Sequence, residues 1–295
     1  MDLLSKEEAT VFVENVLGLI DIQMRFNTDR LSFLNDIIYE YHCKVPFHNV
    51  DLLALPVSER RLPNLTELKE RGLSGRGGLC YQNNTFLYFV LRALGYDVTL
   101  VKGQVKYPGN HVLLVAHDVV TSGDSYLIEA GMGYPTMKAI PLDFQDESPV
   151  YTFSFCTLKY VRMEDGEFHR MHKGLAKDSY KGENDLDNSW RYVYSFNTAP
   201  CILKDFESSM VRPYTNPTTS IFLNSLRAVR FPNGKLLAIK NTSILEDKDD
   251  AVFATEVKDS ETLKNTLSVL FPMLSSPKEL MSSAVEMFET FKCYN

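Results

Sequence analysis

The hydrophobic pattern of this chain changes period at residues 95–96, and that change restricts its fold class. Up to Leu94 the apolar residues recur at helical spacing. Leu31, Phe33, Leu34, Ile37, Ile38 and Tyr41 mark one face, and Phe86, Leu87, Val90, Leu91 and Leu94 mark another. Ser5-Lys6-Glu7-Glu8 reads as a capping box at a helix start, and Gly95 as a C-cap. From Tyr96 the apolar residues come in short strand-like runs separated by turn residues: Val98, Leu100 and Val105, then residues 111–116, 126–130, 150–163 and 190–196. Helices first and strands after, rather than in alternation, predict an α+β protein with an antiparallel sheet that closes on itself as a barrel. Residues 173–189 are polar and charged and read as an exposed loop. Beyond Pro200 the elements mix. A short helix is expected over 205–210, strands over 221–231 and 235–240 around an Asn233-Gly234 turn, and helices over 260–270 and 277–291. The expected domains are 1–95 (helical), 96–200 (β-barrel) and 201–295 (α/β lid).

At the start of the last N-terminal helix stands Gly75-Arg76-Gly77-Gly78-Leu79-Cys80-Tyr81-Gln82-Asn83-Asn84. A glycine-dense turn delivers Cys80 to a helix N-terminus, where a thiolate, the reactive form of the thiol, is stabilised. The other four cysteines, at 43, 156, 201 and 293, are scattered, none forms a CxxC pair, and they read as structural. Together the five exclude a disulfide framework and a zinc site and suit a reducing cytosol.

A nucleophilic cysteine needs a base, and histidine is the usual one near neutral pH. Of six histidines, His111 alone opens an apolar strand, directly after Pro108-Gly109-Asn110. Glu129 ends the next strand, ahead of Ala130-Gly131-Met132-Gly133, and an isolated acid there requires a partner. A tight hairpin at Ser122-Gly123 would set Glu129 against Ala116, roughly 17 Å along the strand from His111. A Cys-His-acid triad instead requires a pairing centred near residue 120, with 117–123 as a longer loop. His169-x-x-His172 lacks further ligands and reads as surface, so no metal is expected. Arg76 either binds a phosphate or, the weightier reading, ties the glycine loop to its surroundings.

The net charge of −7 and the absence of a basic stripe argue against nucleic acid. No apolar run reaches the length of a membrane span, and the N-terminus lacks the pattern of a secretory signal. The expected compartment is the cytoplasm.

Several separated motifs resemble the arylamine N-acetyltransferases in order and spacing. They are Arg76-Gly77-Gly78-Leu79-Cys80-Tyr81-Gln82 with Asn84, Val45-Pro46-Phe47-His48-Asn49-Val50-Asp51, Leu94-Gly95-Tyr96, His111-Val112-Leu113-Leu114, Glu129-Ala130-Gly131-Met132-Gly133, Asp205-Phe206-Glu207, and the 217–222 stretch. The likeness covers roughly residues 5–245. It implies a helical domain, a β-barrel and an α/β lid around a cysteine-protease-like core. It also implies ping-pong acetyl transfer from acetyl-CoA, a co-substrate rather than a bound cofactor, to a small aromatic amine or hydrazine, as in xenobiotic metabolism. By the resemblance the triad is Cys80, His111 and Glu129, with Glu where the family has Asp. The implied CoA contacts are Gly109, Tyr214, Thr218, Thr219 and Ser220. The implied acceptor pocket is Phe47, Met132 and Tyr134. His48 stands where the family has Glu, Met132 where human-type members have an aromatic, and Leu79 where a bulkier residue is common. Two alternatives stay open: an acyltransferase or thioesterase using another acyl-CoA or acceptor, favoured if Met132, Tyr134 and Thr136 leave room for a larger acyl group, and a non-catalytic acyl-CoA or protein binder. The sequence leaves the oligomeric state undetermined.

Overall fold

The computed structural model describes residues 3–173, 189–248 and 251–292. The loop expected over 173–189 and Cys293 fall almost wholly or wholly outside them. The N-terminal segment is helical: α1 (Lys6–Asn15), α2 (Ile22–Thr28), α3 (Arg30–Lys44), the two-residue strand β1 (Phe47–His48), α4 (Val50–Ala54), α5 (Leu65–Leu73) and α6 (Cys80–Leu94). Local signals set the ends. The Ser5 hydroxyl accepts from Glu8 N–H while the Glu8 carboxylate accepts from Ser5 N–H. Gly95 closes α6 in the left-handed region, at φ 100°.

Eight strands follow: β2 (Asp97–Gln104), β3 (His111–His117), β4 (Ser125–Ile128), β5 (Ile140–Pro141), β6 (Tyr151–Phe153), β7 (Cys156–Arg162), β8 (Phe168–Lys173) and β9 (Trp190–Cys201). They form one antiparallel sheet in the order β5-β4-β3-β2-β9-β8-β7-β6. Among the described residues its edge strands β5 and β6 do not pair, so the expected barrel is a curled, half-closed one. Its concave side holds Val101, Leu113, Val115, Leu158, Tyr160 and Phe196. The opposite faces of β2 and β3, through Val98, Leu100, Val112 and Leu114, pack on α6 and the helical core.

The remainder comprises α7 (Glu207–Thr215), β10 (Arg227–Arg230), β11 (Leu237–Lys240), β12 (Ser243–Lys248), β13 (Ala251–Glu256), α8 (Ser260–Leu270) and α9 (Lys278–Lys292). The strand expected over 221–231 begins only at Arg227. Before it, Asn224 and Ser225 side chains bond the Pro217 and Ile221 carbonyls and hold a turn instead. The helix expected over 205–210 runs on to Thr215. A five-stranded sheet ordered β1-β10-β11-β12-β13 draws its first strand from the N-terminal segment, with Phe47 opposite Val229. The helices α4, α8 and α9 cover it through Val50, Leu53, Leu263, Leu267 and Val285. Thus the 45–54 segment is built into both the helical part and the C-terminal part.

Candidate active site

The glycine loop ahead of Cys80 is held by backbone proximity. Gly77 sits at φ 76°, and a Cβ there would stand 2.1 Å from the Pro46 carbonyl oxygen, so only glycine fits. His48, in β1, donates from Nε2 to the Arg76 carbonyl at 3.0 Å, while its Nδ1 accepts from Val50 N–H at 3.2 Å. Burial depresses the His48 pKa to about 4, so a neutral ring makes this tie. The Arg76 guanidinium grips the Asp51 carboxylate at 2.6–3.0 Å and donates to the Ser276 carbonyl at 2.5 Å. This arrangement accords with the tethering reading of Arg76. The first turn of α6 is capped by Gln82, whose side-chain oxygen accepts from Leu79 N–H at 3.2 Å.

Cys80 is partly exposed. His111, at the start of β3, is 2% exposed and Glu129 is fully buried. His111 Nε2–H donates to Glu129 Oε2 at 2.5 Å, and Cys80 is a close electrostatic neighbour of the same ring. With Nε2 taken by Glu129, Nδ1 is the nitrogen left for sulfur. Burial opposes charge on the His111 ring, but the Glu129 carboxylate and Cys80 outweigh it and raise its pKa. Burial likewise opposes the Glu129 charge, and His111, Arg170 and Asn84 outweigh that, leaving its pKa lowered. Glu129 thus stabilises the imidazolium that forms when the His111 ring takes up a proton.

The register between β3 and β4 differs from both expectations. Leu114 faces Ile128 and His117 faces Ser125, with a loop over 118–124. The loop is the longer type, fixed by Asp124 accepting from three successive N–H groups, those of Val119, Val120 and Thr121. Continued to Glu129, this register reaches Leu113, not His111. A two-residue offset of about 7 Å remains, and the extra methylene of Glu over Asp covers part of it.

In the sequence Asn84 stands out only as part of the motif, and its place beside Glu129 depends on tertiary contacts. Its amide nitrogen donates to Glu129 Oε1 at 3.0 Å and to the Val112 carbonyl at 2.6 Å, and its oxygen accepts from Ala130 N–H at 3.0 Å. Gly131 N–H adds a donor to Glu129 Oε1 at 2.9 Å. Buried Arg170 supplies a nearby positive charge to the same carboxylate.

Cys80 and His111 open on a cleft of about 1010 Å³, whose walls also include Phe47, Met132 and Tyr134. Among the described residues, five that line it, Lys106, Arg191, Arg212, Arg227 and Lys240, are cationic and none is Asp or Glu, in a chain of net charge −7. Such a cleft draws in anions. Thr219, Ser220 and Tyr214 line it, whereas Gly109 and Thr218 lie outside its walls. The Tyr214 hydroxyl donates to Gln82 Oε1, Ser220 Oγ donates to the Pro213 carbonyl at 2.6 Å, and Thr218 N–H donates to the Asn216 side chain at 3.0 Å. Gly109, at φ 69°, accepts from Ser209 Oγ at 2.7 Å. His172, read as a surface residue from the sequence, is instead 2% exposed and part of the cleft wall. Among the described residues no cluster of metal-ligating side chains exists.

The sequence profile of a family described as N-acetyltransferase matches residues 30–276. The chain belongs to this family. Among its relatives, arylamine N-acetyltransferase 1 of Felis catus is 28% identical over 69% of this chain and 81% of its own length. Arylamine N-acetyltransferase 2 of Mesocricetus auratus is 24% identical over 94% and 99%. Among solved structures, the arylamine N-acetyltransferase of Salmonella typhimurium superposes with a TM-score of 0.76 at 18% identity, covering 96% of this chain and all of that one. The Mycobacterium marinum enzyme, solved in complex with CoA, superposes at 0.75 with 17% identity, covering 94% and 99%. The α+β architecture expected from the sequence is thus the fold of these N-acetyltransferases, half-barrel and C-terminal sheet included.

Proposed function

We propose that this N-acetyltransferase moves an acetyl group from acetyl-CoA to a small aromatic amine or hydrazine by way of a Cys80 thioester, in the cytoplasm. In this reading residues 1–95 present the nucleophile, 96–200 present His111 and Glu129, and 201–295 form the lid. His111 takes the Cys80 proton. The thiolate attacks the acetyl carbonyl carbon, the bond from that carbon to the CoA sulfur breaks, and the imidazolium returns a proton to the departing CoA thiolate. An amine then attacks the thioester, His111 takes the amine proton, and Cys80 leaves from the carbonyl carbon as the thiolate. Backbone N–H groups in the first turn of α6, which helix geometry leaves without intrahelical partners, stabilise the oxyanion.

The observation that carries this reading is the buried His111–Glu129 pair, which shares with Cys80 a large cationic cleft. The cations suit the phosphates of CoA. Of the residues nominated for CoA, Thr219 and Ser220 reach the cleft, while Tyr214 acts on Gln82 and through it on the start of α6. Phe47, Met132 and Tyr134 offer an apolar, aromatic wall for the acceptor. The test is CoA release by the purified protein with acetyl-CoA and a panel of arylamines, hydrazines and alkylamines. Release that rises with arylamine or hydrazine supports the reading. Release independent of any amine would instead make the protein a thioesterase.

A further inference from the structure

Strand β8 carries two residues whose burial its sequence does not announce. Phe168, Arg170 and His172 alternate inward along Phe168–Lys173, so a guanidinium and an imidazole lie side by side within the sheet. Arg170 is fully buried. Its Nη atoms donate to Thr136 Oγ1 at 2.7 Å and to the Pro135 carbonyl at 3.1 Å, and its Nε donates to His172 Nε2 at 2.8 Å.

The last contact fixes a proton. A guanidinium only donates, so His172 Nε2 must accept, and the ring's single proton resides on Nδ1. Burial and the Arg170 charge both disfavour the imidazolium, and the His172 pKa falls to about 2. The Cys156 thiol, 3.6 Å away, also meets Nε2 rather than Nδ1. No described residue bonds Nδ1. The ring forms part of the cleft wall that holds Cys80, and it meets Tyr134 edge-on at 5.1 Å between centroids. Tyr134 lies three residues beyond Gly131, which touches Cys80, so the Gly131 and Tyr134 Cα atoms are at most about 11 Å apart. That is the order of length of a substituted aromatic ring.

We propose that His172 is a specificity-determining residue: its Nδ1–H, fixed in place by Arg170, selects acceptor amines that carry a hydrogen-bond-accepting oxygen at the end remote from the reacting nitrogen. A site built to donate to such an oxygen rejects the analogue that lacks it, because the donor is then left desolvated and unpaired. The inference rests on the acetyl-transfer reading above.

The test compares 4-aminoacetophenone with its near-isostere 4-isopropylaniline. The quantity read is the ratio of kcat/KM for the two, in the wild type, in Arg170→Met/His172→Phe and in His172→Gln. The double variant avoids leaving a lone buried guanidinium. Gln offers Arg170 an oxygen and the cleft an N–H. Dividing the wild-type ratio by the variant ratio cancels the intrinsic reactivities of the amines. The ratio is expected to fall about tenfold in the double variant and to be largely retained in His172→Gln. An unchanged ratio in the double variant would overturn the proposal. The same comparison is made by equilibrium binding of the two amines to Cys80→Ala protein, with and without the β8 substitutions. Absence of an acetyl-enzyme in the wild type would refute the transfer reading alone, and the binding ratio would still decide the role of His172.

Discussion

Gly131 presses its backbone against Cys80: a Cβ on Gly131 would stand 3.0 Å from Cys80 Cα and 2.9 Å from the Asn84 amide nitrogen. The segment after Glu129 therefore seats directly on the first turn of α6. Gly131→Ala forces these backbones apart and disturbs the Asn84–Glu129 bond with them. We expect a loss of about 1–3 kcal/mol in stability, typical of overpacking, together with slower acetyl transfer. Urea denaturation and the rate of CoA release measure the two effects. A variant of wild-type stability and rate would mean that the contact is slack.

Glu129→Gln keeps the shape of the side chain and removes its charge from beside the His111 ring. Asn84 and Gly131 donate to Oε1 and His111 donates to Oε2, so the amide nitrogen faces a donor whichever way it is placed. The rate of acetyl-enzyme formation should fall about 10²- to 10⁴-fold, the range for loss of effective general acid-base catalysis. Glu129→Asp should retain more activity than Gln but less than wild type, because the two-residue register offset has to be spanned by a shorter arm. Stopped-flow measurement of CoA release orders the three proteins.

The His111–Glu129 pair also gives stability a predictable pH dependence. His111 is raised in the folded state above its ordinary value of 6.5, so its contribution is complete below about that pH and is lost as pH climbs through the folded value. Glu129 is lowered below 4.5, so its contribution is complete above that pH and is lost as pH falls through the folded value. The stability difference between wild type and His111→Gln/Glu129→Gln should be greatest between about pH 4.5 and 6.5 and shrink on both sides. Urea midpoints of both proteins from below to above that range check this. A difference independent of pH would contradict it.

Arg76→Ala leaves Asp51 buried, with Arg71 at 3.1 Å as its remaining salt-bridge partner, and releases the Ser276 carbonyl. Breaking one side of a buried ion pair costs about 3–5 kcal/mol, and Arg71 places this case toward the lower figure. Urea unfolding measures the loss. A loss below about 1 kcal/mol would show the tether to be dispensable.

The candidate site is legible in the sequence where local chemistry announces itself. The glycines before Cys80 are required by the backbone, and His111 and Glu129 stand out as polar residues bounding apolar strands. The helix start at Ser5 and the period change at Gly95 are likewise local, and the structure places elements where they predict. What stayed hidden depends on partners far along the chain. The inward set of β8 is Phe168, Arg170 and His172, which in sequence resembles a solvated edge; Arg170 is buried because Thr136, Pro135 and His172 satisfy it. The β3–β4 register was open because loop length depends on how Asp118 and Asp124 fold back on the backbone. The pairing of Phe47 with Val229 joins residues far apart in sequence, and no local pattern marks it.

If Cys80 carries the acetyl group, intact-protein mass spectrometry after brief exposure to acetyl-CoA, with peptide mapping, shows a single acetyl adduct on the peptide containing Cys80, discharged on adding an arylamine and absent in Cys80→Ser. An adduct that persists in Cys80→Ser, or none in the wild type while amine acetylation proceeds, would contradict it.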